Sequence, residues 1–218
     1  MALSDKRILE AMEAGDIIIS PFDERNLATS SYDVTLGPWY YRPQETFNRP
    51  VYNIYNQEHT KEYWGEPQNA ETAFGLGIPN EAGIDQLDRI ILIYPNETIL
   101  AHTNEFIGGK NHITTMMKAR SSMGRQGIAV CKCAGWGDVG YINRWTLEIT
   151  NYTQHAIPLV VGRRIAQLVF LETGPIRALD YASTGKYQTS TDLKELEANW
   201  KPEDMVPKLY KDRDIKHG

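Results

Sequence analysis

Cysteine is scarce: the 218-residue chain has two, Cys131 and Cys133. So few exclude a disulfide framework, and a reducing, cytoplasmic setting is the expectation. Standing one residue apart, the two would share a face if their segment is a strand. Zinc chemistry lacks its ligands as well. The five histidines, His59, His102, His112, His155 and His217, are scattered, and no H-x-E is followed by a C-x-x-C. No apolar run reaches membrane-spanning length, and the opening MALSDKRILEAME is charged and has no apolar signal core. Neither a membrane partner nor export is expected. There is no basic excess either: a net charge of −5 and a pI near 5.6 argue against coating nucleic acid. Internal repeats, low-complexity tracts and the G-x-x-x-x-G-K-[ST] phosphate loop are also absent.

A hydrophobic content of 41% is present, enough for one core with extensions. SDKRILEAMEAGDI reads as a short helix capped by Ser4, with Ile8, Leu9 and Met12 on one face and Gly15 at its end. YDVTLG reads as a strand ending at a glycine before a proline. Residues 43–88 are polar, aromatic and broken by proline and glycine, with no helical period. They read as an excursion holding one short strand, with Tyr52, Tyr55, Tyr63, Trp64 and Phe74 packing on something, a subunit interface being a fair candidate. From Arg89 the chain reads as successive strands: RIILIYP, ETILAHT, HITTMMKA, GIAVCKCA, RWTLEITN, AIPLVV and RRIAQLVFLET. Regular turn signals between them predict an antiparallel sandwich or barrel. DLKELEANW predicts a short helix before a charged, fraying tail.

Four stretches have the residue types that chemistry needs. KARSSMGRQGIAV clusters Lys118, Arg120 and Arg125 with serines and glycines against an acidic background. Backbone N–H groups and arginines there suit a small phosphorylated ligand, and a solvated basic turn is the plain alternative. In AGWGDVGYINRWTLEITN, Asp138 sits in a glycine-bracketed turn and Glu148 in an apolar strand. Trp145, Leu147 and Ile149 alternate with Thr146, Glu148 and Thr150. Alternation alone favours a polar outer face, whereas a general base in a pocket is the functional reading. Tyr141 is a platform for a sugar or base, or a core tyrosine. GRRIAQLVF is a hairpin turn and strand. YASTGKYQTSTD is a flap over an anion, with Lys186 meeting phosphate, or an ordinary polar loop.

Taken in order, these stretches resemble the dCTP deaminase family of the dUTPase-like superfamily. SSYDVTLG is similar to the family's S-x-D-L-R-L-G, ARSSMGRQG to G-R-S-S-L-x-R-x-G, and AGWGDVGY-(6)-LEITN to A-x-x-I-D-P-G-(F/W)-(6)-L-E-x-x-N. IYPNETILAHTNEFI, GRRIAQLVF and GKYQ match the remaining motifs. The resemblance spans residues 1–42 and 89–192. It implies a mainly β, distorted barrel or jelly roll (β-clip) with short peripheral helices. The domain would run over 1–192 with an insertion at 43–88, followed by an extension at 193–218.

The resemblance also implies chemistry. Glu148 would be general base and proton shuttle in a zinc-independent hydrolysis of dCTP to dUTP and ammonia. Ser121 and the Ala134 carbonyl would hold the water, and Arg125 would orient Glu148 and that water. Asp138 would accept the sugar 3′-hydroxyl, and Tyr141 would lie under the deoxyribose. Arg120, Ser122, Gln167, Tyr181, Lys186 and Gln188 would line the triphosphate and flap, with Gly124 and Thr146 counted among the substrate contacts. Magnesium would enter on the phosphates. The partner expected is a second and third copy of the chain, a homotrimer with sites between subunits, and dTTP is a candidate feedback inhibitor.

Departures from the pattern keep other outcomes open. Gly137 replaces an apolar residue, Val139 a proline, Cys133 a threonine and Asn143 a glycine, asparagine being tolerant of a left-handed backbone. Trp136 stands where bifunctional members carry an aromatic, and Tyr141 is typical of dUTPases. The alternative is therefore a dUTPase, or a bifunctional enzyme giving dUMP and pyrophosphate, with Asp138 helping activate water against the α-phosphate. A catalytically silent nucleotide-binding trimer is the third reading.

Overall fold

The computed structural model describes residues 1–80, 82–177, 181–188, 190–212 and 214. The first helix, α1 (Asp5–Glu13), is capped by Ser4, whose Oγ accepts the Arg7 N–H, and Gly15 ends it in a left-handed conformation at φ +78°. Ile8 is fully buried and Met12 packs on the core, while Leu9, expected on the same face, is exposed. Then come β1 (Ile17–Ser20), β2 (Leu27–Ala28) and β3 (Ser31–Tyr41), followed in the excursion by α2 (Gln57–Trp64), β4 (Gln68–Asn69) and β5 (Glu71–Thr72). The main strand succession is β6 (Arg89–Ile93), β7 (Thr98–Gly109), β8 (Ile113–Ala119), β9 (Ile128–Ala129), β10 (Trp136–Gly137), β11 (Ile142–Asn151), β12 (Ile157–Val160) and β13 (Arg164–Glu172). The short helix α3 (Ser121–Arg125) interrupts it after β8. The chain closes with α4 (Tyr181–Thr184), α5 (Leu193–Asn199) and the 3-10 turns Pro202–Met205 and Leu209–Lys211. The last expected tail residues, 213 and 215–218, lie outside the described ones.

The mainly β architecture with short peripheral helices is as expected. Among the described residues ten strands form one curled sheet, ordered β10-β8-β13-β3-β7-β11-β9 with β1 added to β7 and β2 and β4 to β3. A smaller sheet, β12-β6-β5, packs against it. The core between them is aliphatic, with Val34, Ile91, Ile93, Leu147, Ile149 and Leu168 almost wholly buried. No helix among the described residues is long and apolar enough to cross a membrane.

The sequence reading needs correction at three places. β3 does not stop at Gly37. It continues through Pro38 to Tyr41 with a register shift between Leu36 and Tyr40, so its first half pairs with β13 and its second with β7. GIAVCKCA is not a full strand: β9 keeps Ile128–Ala129, and Lys132 turns the chain at φ 39°. Cys131 is buried and Cys133 exposed. The excursion has a helix as well as two short strands. Asn56 caps α2 by accepting the Glu58 and His59 N–H groups, a signal that the surrounding aromatics and prolines mask. Tyr52, Tyr63 and Phe47 pack together, Tyr52 and Tyr63 with ring centroids 4.2 Å apart. Trp64 is buried, but Tyr55 and Phe74 are exposed instead of packed.

Candidate active site

A cavity of 470 Å³ opens on one face of β11. The strand's period of two explains why: Trp145, Leu147 and Ile149 point into the core, and Thr146 and Glu148 point the other way into the cavity. Alternation alone suggested a polar outer face there, but chain from elsewhere covers that face. Trp64 comes from α2, Leu100 from β7, and Trp200, Asp204, Met205 and Pro207 from the C-terminal segment. Glu148 and Leu100 are direct cross-strand partners.

Glu148 is part-buried, and its Oε2 is buried with no hydrogen-bond partner. Burial raises its carboxyl pKa from the ordinary 4.5 to about 7, against smaller lowering effects from a backbone hydrogen bond and from the Lys132 ammonium. Lys132 lines the same cavity and holds a left-handed backbone uncommon for a residue with a side chain. It stands in an unremarkable CKC stretch and gave no signal in the sequence.

The turn carrying Asp138 forms a second wall. Asp138 is exposed at the cavity, its carbonyl accepts the Tyr141 N–H at 2.9 Å, and Gly140 takes φ +91° to close the turn. Tyr141 meets Trp145 and Tyr181 edge-on, with ring centroids 5.1 and 5.0 Å away. Burial pushes its phenol far above its usual range. Asn143 lies in β11 and does not use a left-handed backbone; its amide donates to the Tyr187 carbonyl.

Ala134, Asp138, Tyr141, Thr146, Glu148 and Tyr181, expected from the sequence, thus line one cavity. The others do not. Gln188 is a buried clamp: its Oε1 accepts the Ile142 N–H at 2.7 Å and its Nε2 donates to the Gly140 carbonyl at 2.8 Å, which leaves the amide little capacity for phosphate. Lys186 is ion-paired with Asp212. Ser121, Ser122, Gly124 and Arg125 lie exposed on α3, outside the cavity lining. Arg120 and Gln167 belong to a separate group, where the mostly buried Asp33 carboxylate meets Arg120 at 3.4 Å and Arg164 at 3.1 Å. Gln167 faces Asp33 on β3 and Lys118 on β8. Sequence reasoning missed Leu100, Trp200, Asp204, Met205 and Pro207 as site residues. Trp200 carried the best available signal, an aromatic in an otherwise polar tail.

A family model described as dCTP deaminase-like matches residues 2–173. The chain belongs to this family. A "dCTP deaminase, dUMP-forming" of Methanobrevibacter smithii is 32% identical over 169 residues, 77% of this chain and 78% of that protein. A relative of the same name from a Hydrogenobaculum species is 32% identical over 176 residues, covering 81% and 85%. Among solved structures, 2′-deoxycytidine 5′-triphosphate deaminase from Agrobacterium tumefaciens shares the fold with a TM-score of 0.54 at 17% identity. That match covers 78% of this chain and 47% of the longer one. Within this dCTP deaminase-like chain, Asp138, Tyr141 and Glu148 fall inside the matched region, whereas Trp200, Asp204, Met205 and Pro207 follow it.

Proposed function

We propose that this protein hydrolyses dCTP to release ammonia at Glu148 and carries the product on to dUMP and pyrophosphate. The observation supporting the first step is Glu148 itself, a part-buried carboxyl in a nucleotide-sized cavity with a pKa near 7. Such a group is ionised often enough to take a proton from water and acidic enough to return it. In the deamination, water adds to C4 of the cytosine, the proton passes by way of Glu148 to N3, and a second transfer lets the amino group leave as ammonia. The Ala134 carbonyl steadies the water, Asp138 accepts the 3′-hydroxyl, and Tyr141 gives the sugar a flat wall that disfavours a 2′-hydroxyl.

Ser121 and Arg125 belong to the reading through a second copy of the chain, since in one copy they lie outside the cavity. The copies would share sites in a closed ring, as the resemblance implies. Arg120, Ser122 and Gln167 would face the phosphates from that neighbour. Magnesium is a hard, oxygen-seeking ion that keeps much of its water. The ion would be carried in on the nucleotide phosphates. There it would neutralise charge, and Asp138 would orient a water towards the α-phosphate.

The second step is favoured by the relatives' names, dUMP-forming, and by exposed Trp136 at the cavity, the aromatic that the resemblance associates with bifunctional members. The test is incubation with dCTP and magnesium, with ammonia and pyrophosphate measured separately. One of each per dCTP is expected. Ammonia alone would restrict the enzyme to dUTP formation. Binding with neither product would make it a silent nucleotide-binding protein.

A further inference from the structure

The C-terminal segment does more than cover the cavity. Leu100, the cross-strand neighbour of Glu148, is buried in a cluster with Tyr41, Trp64 and Met205, and Trp200 packs against the same group. Leu100, Trp64, Met205 and Trp200 therefore make a continuous apolar wall that begins at the residue beside the carboxyl group, and Pro207 lines the same cavity.

This wall is held firmly. The Trp200 ring centroid lies 4.7 Å from that of His102, and the Arg144 guanidinium carbon also stands 4.7 Å from it. The Pro202–Met205 turn is pinned by the Lys201 N–H donating to Asp204 Oδ2 at 3.1 Å, and the Lys208 N–H donates to the Tyr187 hydroxyl at 3.0 Å. Asp204 also meets Lys208 at 3.3 Å. With both its oxygens engaged, Asp204 does not make the wall a polar recognition surface.

We propose that Met205 and Trp200, with Leu100 and Trp64, are specificity-determining residues that receive the C5 edge of the pyrimidine, so that a cytosine carrying a small apolar C5 group is a substrate. The inference rests on deamination at Glu148. C5 is bonded to C4, the atom that water attacks, so a C5 substituent must lie against whatever flanks the base-handling carboxylate. On the Leu100 side that flank is apolar, with Lys132 elsewhere in the lining, and methionine is an adaptable lining for a methyl group. The reaction balances without any further reagent: 5-methyl-dCTP and water give the 5-methyluracil nucleotide and ammonia.

The experiment measures ammonia release from dCTP and from 5-methyl-dCTP by the full-length wild type, Met205→Phe and Met205→Ala. The wild type is expected to use the two nucleotides with kcat/KM values within about tenfold of each other, since one methyl group is worth roughly that much in a fitted pocket. Met205→Phe narrows the wall and should lower the methyl-to-unmethylated ratio by about tenfold or more, while Met205→Ala should keep or raise it. A purely structural role would depress both substrates alike and leave the ratio at its wild-type value, overturning the proposal. So would a wild type that turns over dCTP and rejects 5-methyl-dCTP, a result that needs no variant to fold. If dCTP itself releases no ammonia, the deaminase reading fails separately. The wall is then judged by the same ratio in equilibrium binding.

Discussion

Burial opposes the ionisation of Glu148, and this has a consequence for stability as well as for catalysis. Its carboxyl titrates near 7 in the fold and at its ordinary 4.5 in the unfolded chain. Between those values the folded state binds a proton that the unfolded state has released, so stability falls as pH rises from 4.5 through 7 and levels off above. Glu148→Gln is neutral throughout. The nucleotide-free variant should therefore outlast the wild type in urea at pH 8 by about 2 kcal/mol, discounted for partial exposure, and lose that advantage below pH 4.5. It should also release no ammonia from dCTP while still binding it. Equal urea midpoints at pH 8 would mean that the carboxyl is not held against its charge. Retained turnover would remove Glu148 from the mechanism. Lys132 shows the limit of reading at this scale: its effect on Glu148 comes from a left-handed turn that no local pattern announces.

At the scale of elements, the strand succession after Arg89 was legible because β-branched alternation and turn residues act locally. β3 and β9 were not. A glycine followed by proline normally ends a strand, yet β3 passes through Gly37 because the buried His102 ring occupies the space a side chain would need. A Cβ on Gly37 would lie 2.0 Å from His102 Cε1. That ring cannot easily withdraw: its Nε2 accepts the Trp39 N–H at 3.2 Å and its Nδ1–H donates to the Thr103 carbonyl at 2.8 Å. Burial holds the imidazole neutral, with its pKa down at about 4, as this pair of bonds requires. Gly37→Ala should cost about 3 kcal/mol, read as a lowered urea midpoint; an unchanged midpoint would show that the β3 bend is not packed this tightly. The helix α2 was hidden for a different reason, since eight residues with a good cap are too few to establish a period.

For the whole molecule, the residues expected to be catalytic divide between the Glu148 cavity (Glu148, Ala134) and the α3 surface (Ser121, Arg125), and this division makes a testable claim about assembly. If each site joins Glu148 of one copy to Arg125 of the next, Glu148→Gln and Arg125→Ala chains, each inactive alone, should recover activity when refolded together. Random assortment around a closed ring restores about a quarter of the sites. Ammonia release that stays at background in the mixture would place both residues' roles within one copy. The sequence by itself determined the mainly β class, the family, and the carboxylates Asp138 and Glu148 of the candidate site, because short-range alternation, turn chemistry and motif order are written along the chain. Only the tertiary structure decided that Glu148 faces a covered cavity rather than solvent. It also decided that Gln188 is a backbone clamp and Lys186 an ion-pair partner, and that Trp64, Trp200 and Met205 share a cavity with the Glu148 carboxyl. Burial depends on which distant segment lies over a strand's second face, and no spacing within that strand encodes it.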